Sequence, residues 1–229
     1  MSKVKLDTLI LYDIIRQDEI VNTAVKIFNE FDYHEYISYM EADYYSIQRK
    51  LLEVTDGLDI DGTYWQNYIC RLIAESENRF SLTSEKGKPD DNIRSIAVRE
   101  MEELKKLYCL EWQRVGAIFH DGGVSVCTMR RKGGSGFQSD CRDLVRQALE
   151  ADSNQKAVGL LEAYYGEHGS GIFERYQAFV WDDMLVGVRN YDRITFEQLI
   201  GYERQKEALI ENTEFFLKGY PANNVLLYG

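Results

Sequence analysis

The residues able to do chemistry are scattered along this chain, and their spacing excludes more than it offers. His34, His120 and His168 stand far apart, and none lies in a His-Glu-x-x-His run of the kind that sets two imidazoles on one helix face around a metal. No metal site is expected. Cys70, Cys109, Cys127 and Cys141 contain no Cys-x-x-Cys pair and are expected as buried apolar fillers rather than disulfides or zinc ligands. A hydrolase is the weakest reading, because no Gly-x-Ser-x-Gly run or Cys/His pairing supports one and distant residues would have to converge. Arg130-Arg131-Lys132 followed by Gly133-Gly134-Ser135-Gly136 combines cations with glycines whose amides can approach an anion. No Gly-Lys-Ser/Thr follows it, so a solvated hairpin end is expected there. Lys86-Gly87-Lys88 fails as a phosphate loop because Leu82 occupies the place of its first glycine. Tyr33, Tyr36, Tyr39, Tyr44 and Tyr45 are expected to pack between helices with wetted hydroxyls rather than to line a ligand surface. One place is different in kind. Gly229 directly follows the apolar run Val225-Leu226-Leu227-Tyr228, where a tight turn toward a helix N-terminus would aim backbone amides at phosphate.

The elements that must position such residues come from a chain of 229 residues, 45% hydrophobic and 13% aromatic, enough to bury a sizeable core. The formal charge of −11 repels nucleic-acid backbones and anionic membrane surfaces, which disfavours both as general partners. No apolar run approaches the roughly 18 residues that span a bilayer, and the N-terminus lacks a signal-peptide core. A cytoplasmic protein is expected.

From Leu6 to Phe31 the apolar positions recur at helical spacing, which predicts one long amphipathic helix. A second is predicted over His34 to Val54, and a third, carrying Trp65, Tyr68, Ile69 and Leu72, is capped by Asp61 or Thr63. Gly87 and Pro89 mark a loop over Ser81 to Asn92 that ends in a cap at Asp90 or Asp91. The stripe Ile93, Ala97, Met101, Leu104 and Tyr108 predicts the fourth helix. Val115–Phe119 and Val124–Met129 flank Asp121-Gly122-Gly123, which predicts a β-hairpin. Two short helices follow, Ser139 to Ala151 and Asn154 to Glu167, the latter closed by Gly169. A second hairpin is predicted over Tyr176 to Val188, turning at Asp182-Asp183. The fold class is therefore mostly α, an α-rich α+β domain over 1–190 with one or two short hairpins, followed by a distinct segment over 191–229.

In that last segment Phe196, Leu199 and Ile200 make one apolar turn that Gly201 breaks, and from Tyr202 a helix runs with Leu209, Ile210, Thr213, Phe216 and Leu217 on one side. Gly219 and Pro221 close it. The run from Val225 to Tyr228 reads as a buried central strand of a parallel sheet. The segment Ile194 to Gly229 resembles the start of an AAA+ module. Its wording, F-E-Q-L-I-G-Y-E-R-Q-K-E-A-L followed by P-A-N-N-V-L-L-Y-G, is similar to a bacterial ATP-binding family catalogued only as a domain of unknown function.

The resemblance implies that Ile200, Gly201 and Tyr202 sit beside adenine and that Gly229 is the first Walker A glycine. It covers about one sixth of the chain. The Gly-Lys-Ser/Thr that holds phosphate and magnesium and the Walker B acid are absent, so these residues are expected to form a non-catalytic N-terminal fragment with no cofactor of its own. ATP and Mg would belong to a full-length parent ATPase. The implied partners are the rest of the AAA+ domain, further copies in a homo-oligomer, and a protein recognised by residues 1–190. Two alternatives stand beside this reading: a free-standing helical interaction module, and a nucleic-acid binder using Arg114, Arg130, Arg131 and Lys132 on a basic hairpin.

Overall fold

The computed structural model describes residues 3–30, 37–54, 62–87, 90–131, 137–172, 176, 178–188, 191–192 and 194–227, without the side chains of 37, 38, 131 and 137–142. It is mostly helical with two small antiparallel sheets, an α-rich α+β fold. The chain divides into two units, Met1–Phe179 and Val180–Gly229. No helix among the described residues is long and apolar enough to cross a membrane.

The first unit begins with a correction. In place of one long helix over Leu6 to Phe31 there is a single 3-10 turn, Leu6–Thr8, then α1 (Asp13–Gln17) and α2 (Glu19–Glu30). The apolar side chains are buried as expected, but the backbone amides that would have fed a continuous helix are claimed elsewhere. The buried carboxylate of Glu100 accepts from the amides of Ile10 at 2.7 Å, Leu11 at 3.2 Å and Tyr12 at 3.3 Å. Glu103 accepts from the amide of Lys5 at 2.7 Å. Asp18 then starts α2 afresh, its carboxylate taking the amide of Val21 at 2.9 Å and the hydroxyl of Tyr68 at 2.6 Å.

α3 (Ile37–Val54) packs on α2. α4 (Tyr64–Ala74) starts at Thr63, whose hydroxyl and the Gln66 side chain exchange bonds with each other's backbone, a reciprocal cap that satisfies two orphan amides; Asp61 lies outside the described residues. α5 (Arg79–Glu85), capped by Asn78, replaces the front of the predicted loop, and Gly87 turns after it at φ +61°; Lys88 and Pro89 lie outside the described residues. The Asp90 carboxylate caps α6 (Asp91–Tyr108), and α7 (Trp112–Ile118) follows. α8 (Phe137–Glu150) and α9 (Asn154–His168) pack against one another, and α9 also packs on α5 and α6, with Gly169 stopping it at φ +73°. At the centre the indole of Trp65 meets that of Trp112 with ring centroids 5.1 Å apart, and its N–H donates to the Leu107 carbonyl at 2.7 Å.

The hairpin predicted over 115–129 is not formed. Trp112, Val115 and Gly116 are buried together at helical spacing, and Ala117 faces out, so this short stretch packs as a helix face rather than alternating as a strand. Asp121-Gly122-Gly123 does make a tight turn, with both glycines at positive φ, but it closes α7. The two residues of β1 (Gly62–Thr63) pair antiparallel with β2 (Arg130–Arg131) instead, Gly62 opposite Arg131 and Thr63 opposite Arg130.

β3 (Phe179–Asp182), whose first residue ends the first unit, and β4 (Met184–Gly187) form the predicted second hairpin, with Asp183 at φ +53° in the turn between them. A turn at Thr195–Leu199 leads to α10 (Glu203–Leu217), whose Glu214 and Lys218 pair at 2.9 Å. The run at Val225 does not form a strand: among the described residues Val225, Leu226 and Leu227 belong to neither sheet and are exposed, Leu226 by 83%. Strand structure is maintained by its neighbours, and neither two-stranded sheet supplies one here.

Candidate functional site

The second unit's possible chemistry lies on the turn that precedes α10. The amide of Gln198 bonds the Thr195 carbonyl at 3.0 Å, and the Gln198 side-chain oxygen takes the Thr195 amide at 2.9 Å, which closes the turn on itself. The Thr195 hydroxyl beside Glu197 holds that carboxyl below its usual range. Gly201 at φ +84° and Tyr202 at φ +62° then follow each other in the left-handed region. Glycine adopts it freely; tyrosine does so against a clash between Cβ and the carbonyl oxygen. The result is that Ile200, 95% exposed, and Tyr202, 74% exposed, stand out on either side of a glycine with open space around it. Gly229 lies outside the described residues.

Two features hold this unit's pieces to α10, and sequence reasoning missed both. Lys206 donates from Nζ to the carbonyl of Leu199 at 2.9 Å and to Glu203 at 3.0 Å. Asn212 clamps the following loop by a two-way exchange: its amide group donates to the Asn223 carbonyl at 2.9 Å and its oxygen accepts the Asn223 amide at 2.8 Å. A lysine four residues past a helix-starting tyrosine is a faint signal, and two asparagines eleven apart across a turn give none.

An aliphatic and an aromatic side chain thus flank an open glycine on an exposed turn. Of the described cations of this unit, Lys206 and Lys218 are engaged with carboxylates and Arg204 is exposed in the first turn of α10.

The remaining chemistry-bearing residues are explained by packing. Cys70 and Cys127 are buried fillers, and burial pushes the Cys127 thiol up to about 12, which suppresses its thiolate. Cys109, expected buried, is exposed at the C-cap of α6, where the helix ends and the side chain falls outside the buried face formed by Leu104, Leu107 and Tyr108; the side chain of Cys141 lies outside the described residues. Tyr44 is buried, with its hydroxyl donating to Asp121 at 2.6 Å, whereas Tyr39 is exposed; Tyr33 and Tyr36 lie outside the described residues. His120 is exposed at a turn, and His168 stacks near Tyr164 with ring centroids 5.3 Å apart; His34 lies outside the described residues. Gly87 ends α5 through a bond from its amide to the Ser84 carbonyl at 2.9 Å, so Lys86-Gly87 belongs to a helix stop. Arg130 stands in β2 rather than on a hairpin end, and the hairpin on which the nucleic-acid alternative rested is absent; residues 132–136 lie outside the described residues.

No curated protein and no solved structure matches this chain. The segment that carries the strained turn, α10 and the apolar run is matched as a whole: residues 174–229 fit the family described as a protein of unknown function, DUF815.

Proposed function

We propose that the second unit is the opening of an AAA+-type nucleotide-binding module, and that the helical first unit recognises the protein or substrate on which the parent ATPase acts. The observation that carries this reading is the pair of left-handed residues Gly201 and Tyr202, which turns Ile200 and the tyrosine ring outward as faces for a base. Backbone strain of this sort collects at binding sites, where it is retained for what it presents. In this reading Ile200, Gly201 and Tyr202 contact adenine and Gly229 begins the phosphate turn. ATP, when bound, supplies a phosphoanhydride whose hydrolysis drives a change of conformation. These 229 residues alone bind it weakly and release no phosphate, because the lysine and hydroxyl that hold phosphates and magnesium are not among them.

Calorimetry of ATP binding to the full-length protein tests the reading with two variants. Gly229→Val places a branched side chain in the turn and should abolish measurable binding. Arg130→Ala/Arg131→Ala should leave affinity within about threefold, since screened charge at a remote point contributes little. The opposite pattern would move the phosphate site to the 130–136 region. A full-length protein that binds no nucleotide would leave the helical interaction module, with Trp181 exposed on its β3–β4 hairpin, as the better account.

A further inference from the structure

The left-handed pair Gly201-Tyr202 lacks the packing that normally enforces a strained backbone. Nothing lies within 4 Å of where a Cβ on Gly201 would stand, the Tyr202 ring is exposed, and no side chain caps the start of α10. A tyrosine in the left-handed region persists only where its surroundings over-determine it. Here that surrounding is one ammonium group. Lys206 Nζ donates to the Leu199 carbonyl at 2.9 Å and reaches the Phe196 carbonyl at 3.4 Å, on the near side of the strained pair. On the far side it donates to Glu203 at 3.0 Å, and its backbone amide donates to the Tyr202 carbonyl at 2.9 Å. The side chain is only 14% exposed although it belongs to a unit with an open surface. Three N–H donors on one nitrogen are what such a three-way tie requires.

We infer that Lys206 is a positioning residue: it staples the 195–199 turn to the first turn of α10 and thereby fixes Ile200 and Tyr202 as the two faces offered to a purine base. The inference rests on the nucleotide reading above. Its consequence is specific, because the staple acts on the base side and leaves the phosphates untouched. Loss of Lys206 weakens adenosine and ATP by the same factor.

The test is calorimetric titration of the full-length protein with adenosine and, separately, with ATP. Lys206→Met should weaken both on the order of tenfold, the effect expected from removing charge-assisted bonds that preorganise a site. Lys206→Arg, which keeps several donors, should restore most of the affinity, and Lys218→Ala, which cuts only the surface pair with Glu214, should change neither ligand. Helix content and melting temperature are followed for each variant, since loss of a merely structural lysine would lower both, whereas loss of the staple weakens the two ligands and leaves helix content and melting temperature unchanged. Wild type that binds neither ligand overturns the nucleotide reading itself. Wild type that binds both, with Lys206→Met equally tight, overturns the staple alone, as does a loss confined to ATP, which would make the lysine a phosphate contact.

Discussion

The two units of this chain use apolar residues in opposite ways. In Met1–Phe179 the large side chains are inside: Trp65, Trp112, Tyr12 and Phe80 are almost wholly buried, and the helices that carry them are capped by Thr63, Asn78, Asp90 and Ser153. In Val180–Gly229 no described residue is buried, and Trp181, Ile200, Phe216, Leu217 and Leu226 face outward. Both units have the composition of a core; only the first has closed one. Large hydrophobics exposed in this number mark side chains suited to burial against further polypeptide or ligand. The second unit keeps its shape through polar ties, Lys206 to the turn before α10 and Asn212 to the loop after it. Such ties fix local geometry without burying area, which is how a small segment can present a site before anything covers it.

The largest expected contrast follows from burial. Trp65→Ala empties the centre of the first unit and removes a bond to Leu107, so it should lower unfolding free energy by about 3–5 kcal/mol. Phe216→Ala in the second unit should change it by less than about 0.5 kcal/mol. Urea denaturation followed by tryptophan fluorescence and circular dichroism measures both, and comparable losses would mean that the second unit is packed in solution.

Next in size is Glu100→Ala. The carboxylate is 1% exposed and serves consecutive backbone amides of the N-terminal segment, so its removal strands buried donors and should cost about 3 kcal/mol. Amide exchange should accelerate at residues 4–12 first, with 203–217 unaffected. If 4–12 stays protected, the segment is held by its apolar side chains alone.

A smaller effect should appear in alkali. Tyr44, Tyr68 and Tyr108 donate to Asp121, Asp18 and Glu150 at 2.6, 2.6 and 2.7 Å, and burial, followed by the adjacent carboxylates, raises all three phenols. A group whose folded pKa is raised stabilises the fold fully below its unfolded value, about 10 for tyrosine, and that contribution is lost as pH climbs past it. Stability should therefore fall above about pH 10, and replacing the three by phenylalanine should flatten the slope. An unchanged slope in the triple variant would mean that the phenols are solvated.

Much of the first unit is legible in its sequence because its helices announce themselves locally: a cap, a 3.6-residue stripe and a glycine stop, as at Thr63, Ala97–Met101–Leu104 and Gly169. What escapes is whatever depends on a distant partner. Leu6 to Phe31 has a helical stripe, yet its amides go to a carboxylate some ninety residues away. Gly122-Gly123 signals a turn without saying which elements it joins, and Arg130 pairs with Thr63 across 67 positions. The second unit shows the same limit. Gly201 is readable as a break, but the left-handed Tyr202 after it and the lysine that braces it emerge only from three-dimensional geometry. Val225 to Leu227 carries a strand's composition and, with no neighbouring strand, no ladder.

The most direct test of the central claim is hydrogen–deuterium exchange on the full-length protein with and without saturating ATP and magnesium. Closure of the second unit around a nucleotide predicts slowed exchange at 196–206 on adding ATP, with the core helices α4, α6 and α9 of the first unit unchanged. Protection confined to 112–131, or no change at 196–206 in a sample shown to bind ATP, would contradict the placement of the base beside Ile200, Gly201 and Tyr202.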